Sequence, residues 1–279
     1  MTTRRNIDWT KVKEEMQTFE KKTYGNVDPN LYVPKLKEDG TYDAIIRFLP
    51  SPDTDMPYAI VYNHGWQSKK TGKWFIENCL RSVNGKCPAC ENAYKLWRAG
   101  DEEGARKRFK KFSAYSNILV VKDPQNPENE GKVFIFRYGK KMFELIKSKM
   151  IPPSELDDPL MVFDYYEGAN FKLKIRSKII NTDNGKKNVS NYDSSEFTVP
   201  TKLGSEEFID DIDSKLFPLK GYVSPDKFLS YTTLRDKVNI VEGYDEEKVE
   251  EEHTGSTEAA SDEDTETDES FFERIRAGK

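Results

Sequence analysis

The sequence predicts an α+β protein, mainly β with helical additions, in which many short strands build a small barrel or sandwich and not a doubly wound sheet. Three observations predict it. Runs rich in β-branched and aromatic residues recur at Tyr42–Leu49, Tyr58–Tyr62, Lys73–Ile76, Ser116–Val121, Lys132–Tyr138 and Phe171–Arg176. In the last run Phe171, Leu173 and Ile175 alternate with Lys172, Lys174 and Arg176, the period of a half-buried strand with one basic face. Helical patterns are fewer, at 90–98, 140–150, 205–216 and 226–238, and Pro152 and Pro153 close the second.

Composition divides the chain further. Of 279 residues only 36% are hydrophobic, lean for one globular unit, and 44 Lys and Arg face 49 Asp and Glu for a net charge of −5. The acidic excess is local: residues 241–270 hold 14 Asp and Glu against one Lys, which leaves residues 1–240 net positive. Residues 241–279 therefore read as a disordered acidic tail, ending in a short basic coda from Phe271. No apolar run approaches the roughly 18 residues of a membrane span, and Met1–Trp9 has no apolar core or cleavage site of a secretory signal. A soluble protein of a reducing, intracellular compartment is expected.

Residues 1–21 read as a basic N-terminal arm. Arg4 and Arg5 precede a helical stripe of Trp9, Val12, Met16 and Phe19, with Asp8 as N-cap. That stripe docks either on the chain's own core or on a neighbouring copy. Residues 22–240 form the predicted folded body.

Within the body, Cys87-Pro-Ala-Cys90 follows Cys79 by eight residues, and His64 lies fifteen before Cys79. Thiolates and an imidazole suit a closed, tetrahedral zinc site, placing a metal subdomain at about 62–98. The alternative is a chance gathering of buried free cysteines around a satisfied His64. Three cysteines in a chain of this length do not make a disulfide framework. A deaminase-type zinc site needs His-x-Glu ahead of Pro-Cys-x-x-Cys, whereas Gly65 and Trp66 follow His64.

From Gly104 to Met150 twelve Lys and Arg stand against four acids, interleaved with Phe109, Phe112, Tyr115, Phe134, Phe136, Tyr138 and Phe143. Single-stranded nucleic acid needs this pairing, because cations follow phosphates and exposed rings stack on bases. Two alternatives stand beside it. Phe134, Phe136 and Tyr138 share one strand face that is either core or stacking platform, and Lys110-Lys111 and Lys140-Lys141 are otherwise plain surface charge. The acidic tail either competes for a basic cleft or simply solubilises. With no phosphate-binding loop and no clustered acidic triad in the body, a non-catalytic binder is expected. A zinc-dependent nucleic-acid enzyme and an acidic protein adaptor are the rival classes.

Over about 42–192 the chain resembles the zinc-containing, helix-destabilising single-stranded DNA-binding proteins of T-even-type bacteriophages. The resemblance rests on Ile45-Ile-Arg-Phe-Leu-Pro-Ser51, Asn63-His-Gly65, Gly72-Lys-Trp-Phe-Ile-Glu77, Cys87-Pro-Ala-Cys90, Asn117-Ile-Leu-Val-Val-Lys-Asp-Pro124, Pro127-Glu-Asn-Glu-Gly-Lys-Val-Phe134, Arg137-Tyr-Gly-Lys-Lys141, Glu167-Gly-Ala-Asn-Phe171 and Ser190-Asn-Tyr-Asp193. It implies an OB-fold core with a zinc subdomain, and one structural zinc ion on His64, Cys79, Cys87 and Cys90. It implies DNA contacts from Arg47, Phe75, Tyr94, Lys110, Lys111, Tyr115, Phe136, Arg137, Tyr138, Lys140, Lys141 and Tyr192. Self-association through Arg4 and Arg5 of the arm follows from it, as do tail contacts with phage replication and recombination proteins. The implied role is sequence-independent, cooperative coating of single strands during phage DNA replication, recombination and repair, in the cytoplasm of the infected bacterial host. Three features depart from the family: the arm's basic motif is reduced to Thr3-Arg4-Arg5-Asn6, residues 181–189 carry no aromatic, and the tail ends basic.

Overall fold

Alternating burial makes the strands legible one by one. The computed structural model describes residues 28–182 and 185–244, so the arm with Arg4 and Arg5 and the tail beyond Tyr244 lie outside the described residues. A two-residue strand β1 (Leu31–Tyr32) precedes β2 (Thr41–Phe48), in which Tyr42, Ala44, Ile46 and Phe48 share one buried face. Strands β3 (Ala59–Gln67) and β4 (Trp74–Asn78) form a hairpin whose turn passes through Gly72 at φ 71°, a conformation that favours glycine. A 3-10 turn at Leu80–Val83 leads to α1 (Pro88–Arg98), which opens on a proline pre-set for a first helical position. Helix α2 (Glu102–Arg108) is capped by Asp101, whose carboxylate accepts from the Gly104 amide at 2.9 Å.

The second half adds β5 (Lys111–Lys122), β6 (Val133–Tyr138), α3 (Lys140–Met150), β7 (Ala169–Thr182), β8 (Gly185–Asn191) and β9 (Glu196–Pro200). Helices α4 (Glu206–Asp213) and α5 (Tyr231–Glu242) begin at Ser205 and Ser230, whose hydroxyls accept from the backbone amides three residues on. The last expected helix therefore starts five residues late. Pro225–Lys227 forms a separate 3-10 turn, and Gly243, at φ 65°, ends α5. The boundary expected between 240 and 241 falls inside this helix. Among the described residues, no helix is long and apolar enough to cross a membrane.

All nine strands belong to one sheet, with the path β1–β6–β5–β2–β7–β8; β3 joins β5 and β4, and β9 joins β7. Every ladder is antiparallel except β1 with β6. Strand β5 is the hinge of the design. Its first residues, 111–115, pair with β3 and its last with β2, so one strand belongs to two packing regions. A register shift at Ile45/Ile46 interrupts the β2–β5 ladder, while β2 pairs with β7 on its other edge continuously from Thr41 to Arg47.

Four apolar clusters result among the described residues, two of them large. The larger packs Ile46, Phe48, Ile118, Phe171 and Leu173 beneath Met142 and Ile146 of α3. Phe136 and Tyr138 are buried in it and Phe134 packs against it, which settles that triplet as core. Burial of each such side chain stabilises by roughly 1.5–3 kcal/mol. At its edge Asp123 is fully buried and accepts the hydroxyls of Tyr42 (2.7 Å) and Tyr32 (2.9 Å) and the Asn126 amide (3.1 Å). Burial pushes the Asp123 carboxyl up, yet these hydrogen bonds outweigh it and hold its pKa below the usual carboxylate value. The smaller cluster joins Trp66, Phe75 and the three cysteines to Leu234, Val238 and Val241 of α5.

Candidate metal centre and nucleic-acid interface

Three separate pieces of chain deliver the metal-type ligands. His64 is on the buried face of β3 with Trp66, Cys79 follows β4, and Cys87 and Cys90 bracket the first turn of α1. All four are buried, and their ligating atoms lie within 4.8 Å of one another. His64 Nε2 is 3.5 Å from the sulfurs of both Cys87 and Cys90, and the Cys79 and Cys90 sulfurs are 3.6 Å apart. A disulfide would need about 2.05 Å. Tetrahedral zinc bonds of about 2.0–2.3 Å give ligand separations of about 3.5–3.8 Å, which this spacing fits.

Protonation points the same way. Hydrogen bonds with Cys79 and Cys90 pull the Cys87 thiol down, while those with Cys79 and Cys87, together with burial, push Cys90 up. A cation bound among these sulfurs would favour their thiolate forms. The imidazole is oriented for that cation. His64 Nδ1 lies 2.8 Å from the Arg108 carbonyl, so Nδ1–H donates outward and the Nε2 lone pair faces the sulfurs. Four such side chains are enough to fill the coordination of a tetrahedral ion.

Next to this centre, the β3–β4 hairpin and the β5–β6 ladder share an open cleft of about 450 Å³ lined by Asn63, Ile76, Glu77, Asn78, Tyr115 and Arg137. Tyr115 and Arg137 face each other across the ladder, and the guanidinium stands 6.0 Å from the ring centroid. Tyr115 is braced from behind by Tyr222, stacked at 4.1 Å, and Arg137 is steered by two hydrogen bonds to the Ser113 hydroxyl. Lys111 donates to the Gly65 carbonyl at 3.0 Å, and the Lys110 ammonium lies 4.5 Å from the Tyr62 ring centroid. Trp74, 61% exposed, and Ile76 occupy the same open face of β4.

Of the residues expected to touch DNA, Tyr115 and Arg137 line the cleft, and Lys110 and Lys111 stand at the start of β5 beside β3. Tyr94 on α1 is exposed and carries the Arg98 guanidinium at 5.6 Å, Lys140 and Lys141 open α3, and Tyr192 packs partly buried against the larger core. None of these four lines the cleft. Arg47, Phe75, Phe136 and Tyr138 are core residues instead. Arg47 is fully buried, donating to the carbonyls of Asp164 and Thr201 at 3.1 and 2.9 Å. Phe75, 2% exposed, stacks on Trp66 at 4.2 Å, and Tyr138 bonds the Ser116 hydroxyl from within the larger core. Trp74, an aromatic beside the metal motif, and Ile76 were not among the expected DNA contacts. Strand alternation in Lys73–Glu77 puts Trp74 and Phe75 on opposite faces, but only the Trp66 partner decides which of them turns inward.

The family model described as gp32 DNA binding protein like matches residues 40–242, from just before β2 to the last residue of α5. The chain is 39% identical over 232 residues to a single-stranded DNA-binding protein of Enterobacteria phage T2, covering 79% of this chain and 72% of that one. It is 37% identical over 233 residues to the protein of the same description from Enterobacteria phage T4, covering 80% and 73%. A shorter match, 44% over 72 residues, reaches a single-stranded DNA-binding protein of Escherichia phage SV14 and covers 24% of this chain and 61% of that one. With its four clustered ligands and its cleft inside the matched span, the chain belongs to the gp32-like DNA-binding protein family.

Proposed function

We propose that this protein coats single-stranded DNA without sequence preference and cooperatively, protecting it and removing secondary structure during phage DNA replication, recombination and repair. The observation that carries the reading is the cleft, where a braced ring (Tyr115), a steered cation (Arg137) and an open apolar side chain (Ile76) stand together, with exposed Trp74 on the same face of β4 as Ile76. Stacking on such rings contributes about 1–3 kcal/mol per base and tolerates every base, because each base has a π face. The cations displace counterions from phosphates, which makes binding salt-dependent. Preference for the single strand lowers duplex stability by mass action, with no hydrolysis.

The remaining parts fit that role. The run β6–β5–β2–β7–β8, bridged by α3 between β6 and β7, supports an OB-fold reading as a partly open, five-stranded barrel. Zinc is the ion the Cys3His set suits, and it would cross-link β3, α1 and the Cys79 turn without taking part in any reaction. Arg4 and Arg5 would serve self-association, and residues 241–279 would bind replication and recombination proteins and regulate access to the cleft, in the cytoplasm of the infected host. A titration with poly(dT) and with matched duplex at several salt concentrations, read by tryptophan fluorescence, tests the proposal. Tight, salt-sensitive binding to the single strand supports it; equal affinity for duplex, or none for either, refutes it.

A further inference from the structure

Glu242 occupies a position that needs an explanation. A carboxylate on the last turn of a helix opposes the helix dipole, and a buried charge is costly unless it is paired. Yet Glu242 is 6% exposed at the end of α5, more than a hundred residues from its partners in the chain. Arg108 grips both of its oxygens, with Nε and Nη2 each at 2.7 Å, and the Trp66 indole N–H donates to Oε1 at 2.7 Å. Arg108 is the last residue of α2, and its guanidinium also donates to the Gly104 carbonyl at 2.7 Å. The backbone carbonyl of this same Arg108 takes the His64 Nδ1 proton. The carboxylate thus holds the group that holds the metal-type imidazole.

Beyond Glu242 the helix end is fastened to the same region. Thr71 donates to the Val241 carbonyl, Lys70 to the Gly243 carbonyl at 2.6 Å, and Tyr244 to the Asn92 side chain at 3.0 Å. We infer that Glu242 is a positioning residue of the metal centre, holding His64 through Arg108, so that metal retention and the docking of α5 are coupled. The inference rests on the metal reading of the four-residue cluster and is independent of what the cleft binds. Coupling of this kind is reciprocal: whatever factor α5 docking adds to metal affinity, the metal adds to α5 docking. Helix α5 also leads directly into the acidic segment, so the metal would fix where that segment begins.

The test uses the full chain loaded with zinc, and follows zinc transfer to a chromophoric chelator alongside hydrogen exchange over residues 231–244. Glu242→Ala is expected to release zinc about 10-fold faster or more, the usual scale for loss of a group that orients a metal ligand. Glu242→Gln, which keeps an acceptor for Trp66, should fall in between. Ile212→Ala, in a separate apolar cluster, should lower stability but release zinc at the wild-type rate. Stripping zinc from the wild type should speed exchange over 231–244 by a similar factor. Release from both Glu242 variants at the wild-type rate, or unchanged protection of 231–244 after stripping, overturns the coupling. A wild-type chain that takes up no zinc overturns the metal reading itself, a distinct outcome. If Glu242→Ala does not fold, Glu242→Gln and Arg108→Lys carry the same comparison.

Discussion

The two largest apolar clusters solve the same problem with different means. The larger brings together nineteen buried residues from β1, β2, β5, β6, β7, α3 and the segment 160–163, enough apolar surface to hold by burial alone. The smaller has nine, three of them cysteines, and adds a buried Arg108–Glu242 pair. A region that small gains little from burial, so the Arg108–Glu242 pair, and a metal ion on the four clustered ligands, would supply much of its stability. The cleft lies where the two meet: Tyr115 and Arg137 stand on strands that also build the large core, and Ile76 and Trp74 on the hairpin tied to the small one. A binding surface of this kind depends on both regions at once.

The largest expected effect breaks the small region alone. Metal removal, or Cys90→Ser, should release the hairpin, α1 and α5 while the large core stays folded, since structural zinc supplies on the order of 10 kcal/mol in small domains. Hydrogen exchange should then show lost protection over 62–98 and 231–244 and retained protection over β2, β5 and β7. Phe171→Ala does the reverse. It should cost about 3–5 kcal/mol in denaturant unfolding and leave zinc release unchanged.

Asp123 sharpens the comparison through pH. Its folded pKa lies below the unfolded value, so its stabilisation is present above the unfolded pKa and is lost as pH falls through the folded one. Asp123→Asn should therefore weaken the protein at neutral pH by about 1–3 kcal/mol and flatten the acid limb of the stability curve. The small cluster should respond to acid through metal loss instead, as protons compete for its ligands. Beside the cleft, on the exposed face of β4, Trp74→Ala should reduce single-strand affinity by about 1–3 kcal/mol with stability unchanged. Smallest of all, Arg137→Ala should reduce the slope of log affinity against log salt by about 0.7.

How much of this was legible in the sequence follows from which signals are local. All six expected strands are present because apolar alternation is a local property, and the Cys3His set stood out because its spacing is short and its chemistry narrow. Helix α2 and strand β8 were missed. Glu102–Arg108 is charged nearly all round, and Gly185–Asn191 has one aliphatic residue, so neither shows a period. Strand β9 was missed beside them, a five-residue run between polar turns. Phe75 and Trp74 show the limit of alternation, which assigns opposite faces without saying which is inside. Arg47 and Glu242 show another limit. A lone arginine in a strand reads as a surface cation and a glutamate beside an acidic run reads as tail, until carbonyls from residues 164 and 201, or an arginine 134 residues away, are folded against them.

The most direct test compares metal-loaded and metal-stripped protein in a titration with a single-stranded homopolymer at fixed salt, with matched duplex as control. The account predicts tight binding to the single strand by the loaded protein, weakened at least tenfold on stripping and restored by added zinc. Single-strand affinity indifferent to stripping in a protein shown to have lost its metal would contradict a cleft built from both regions.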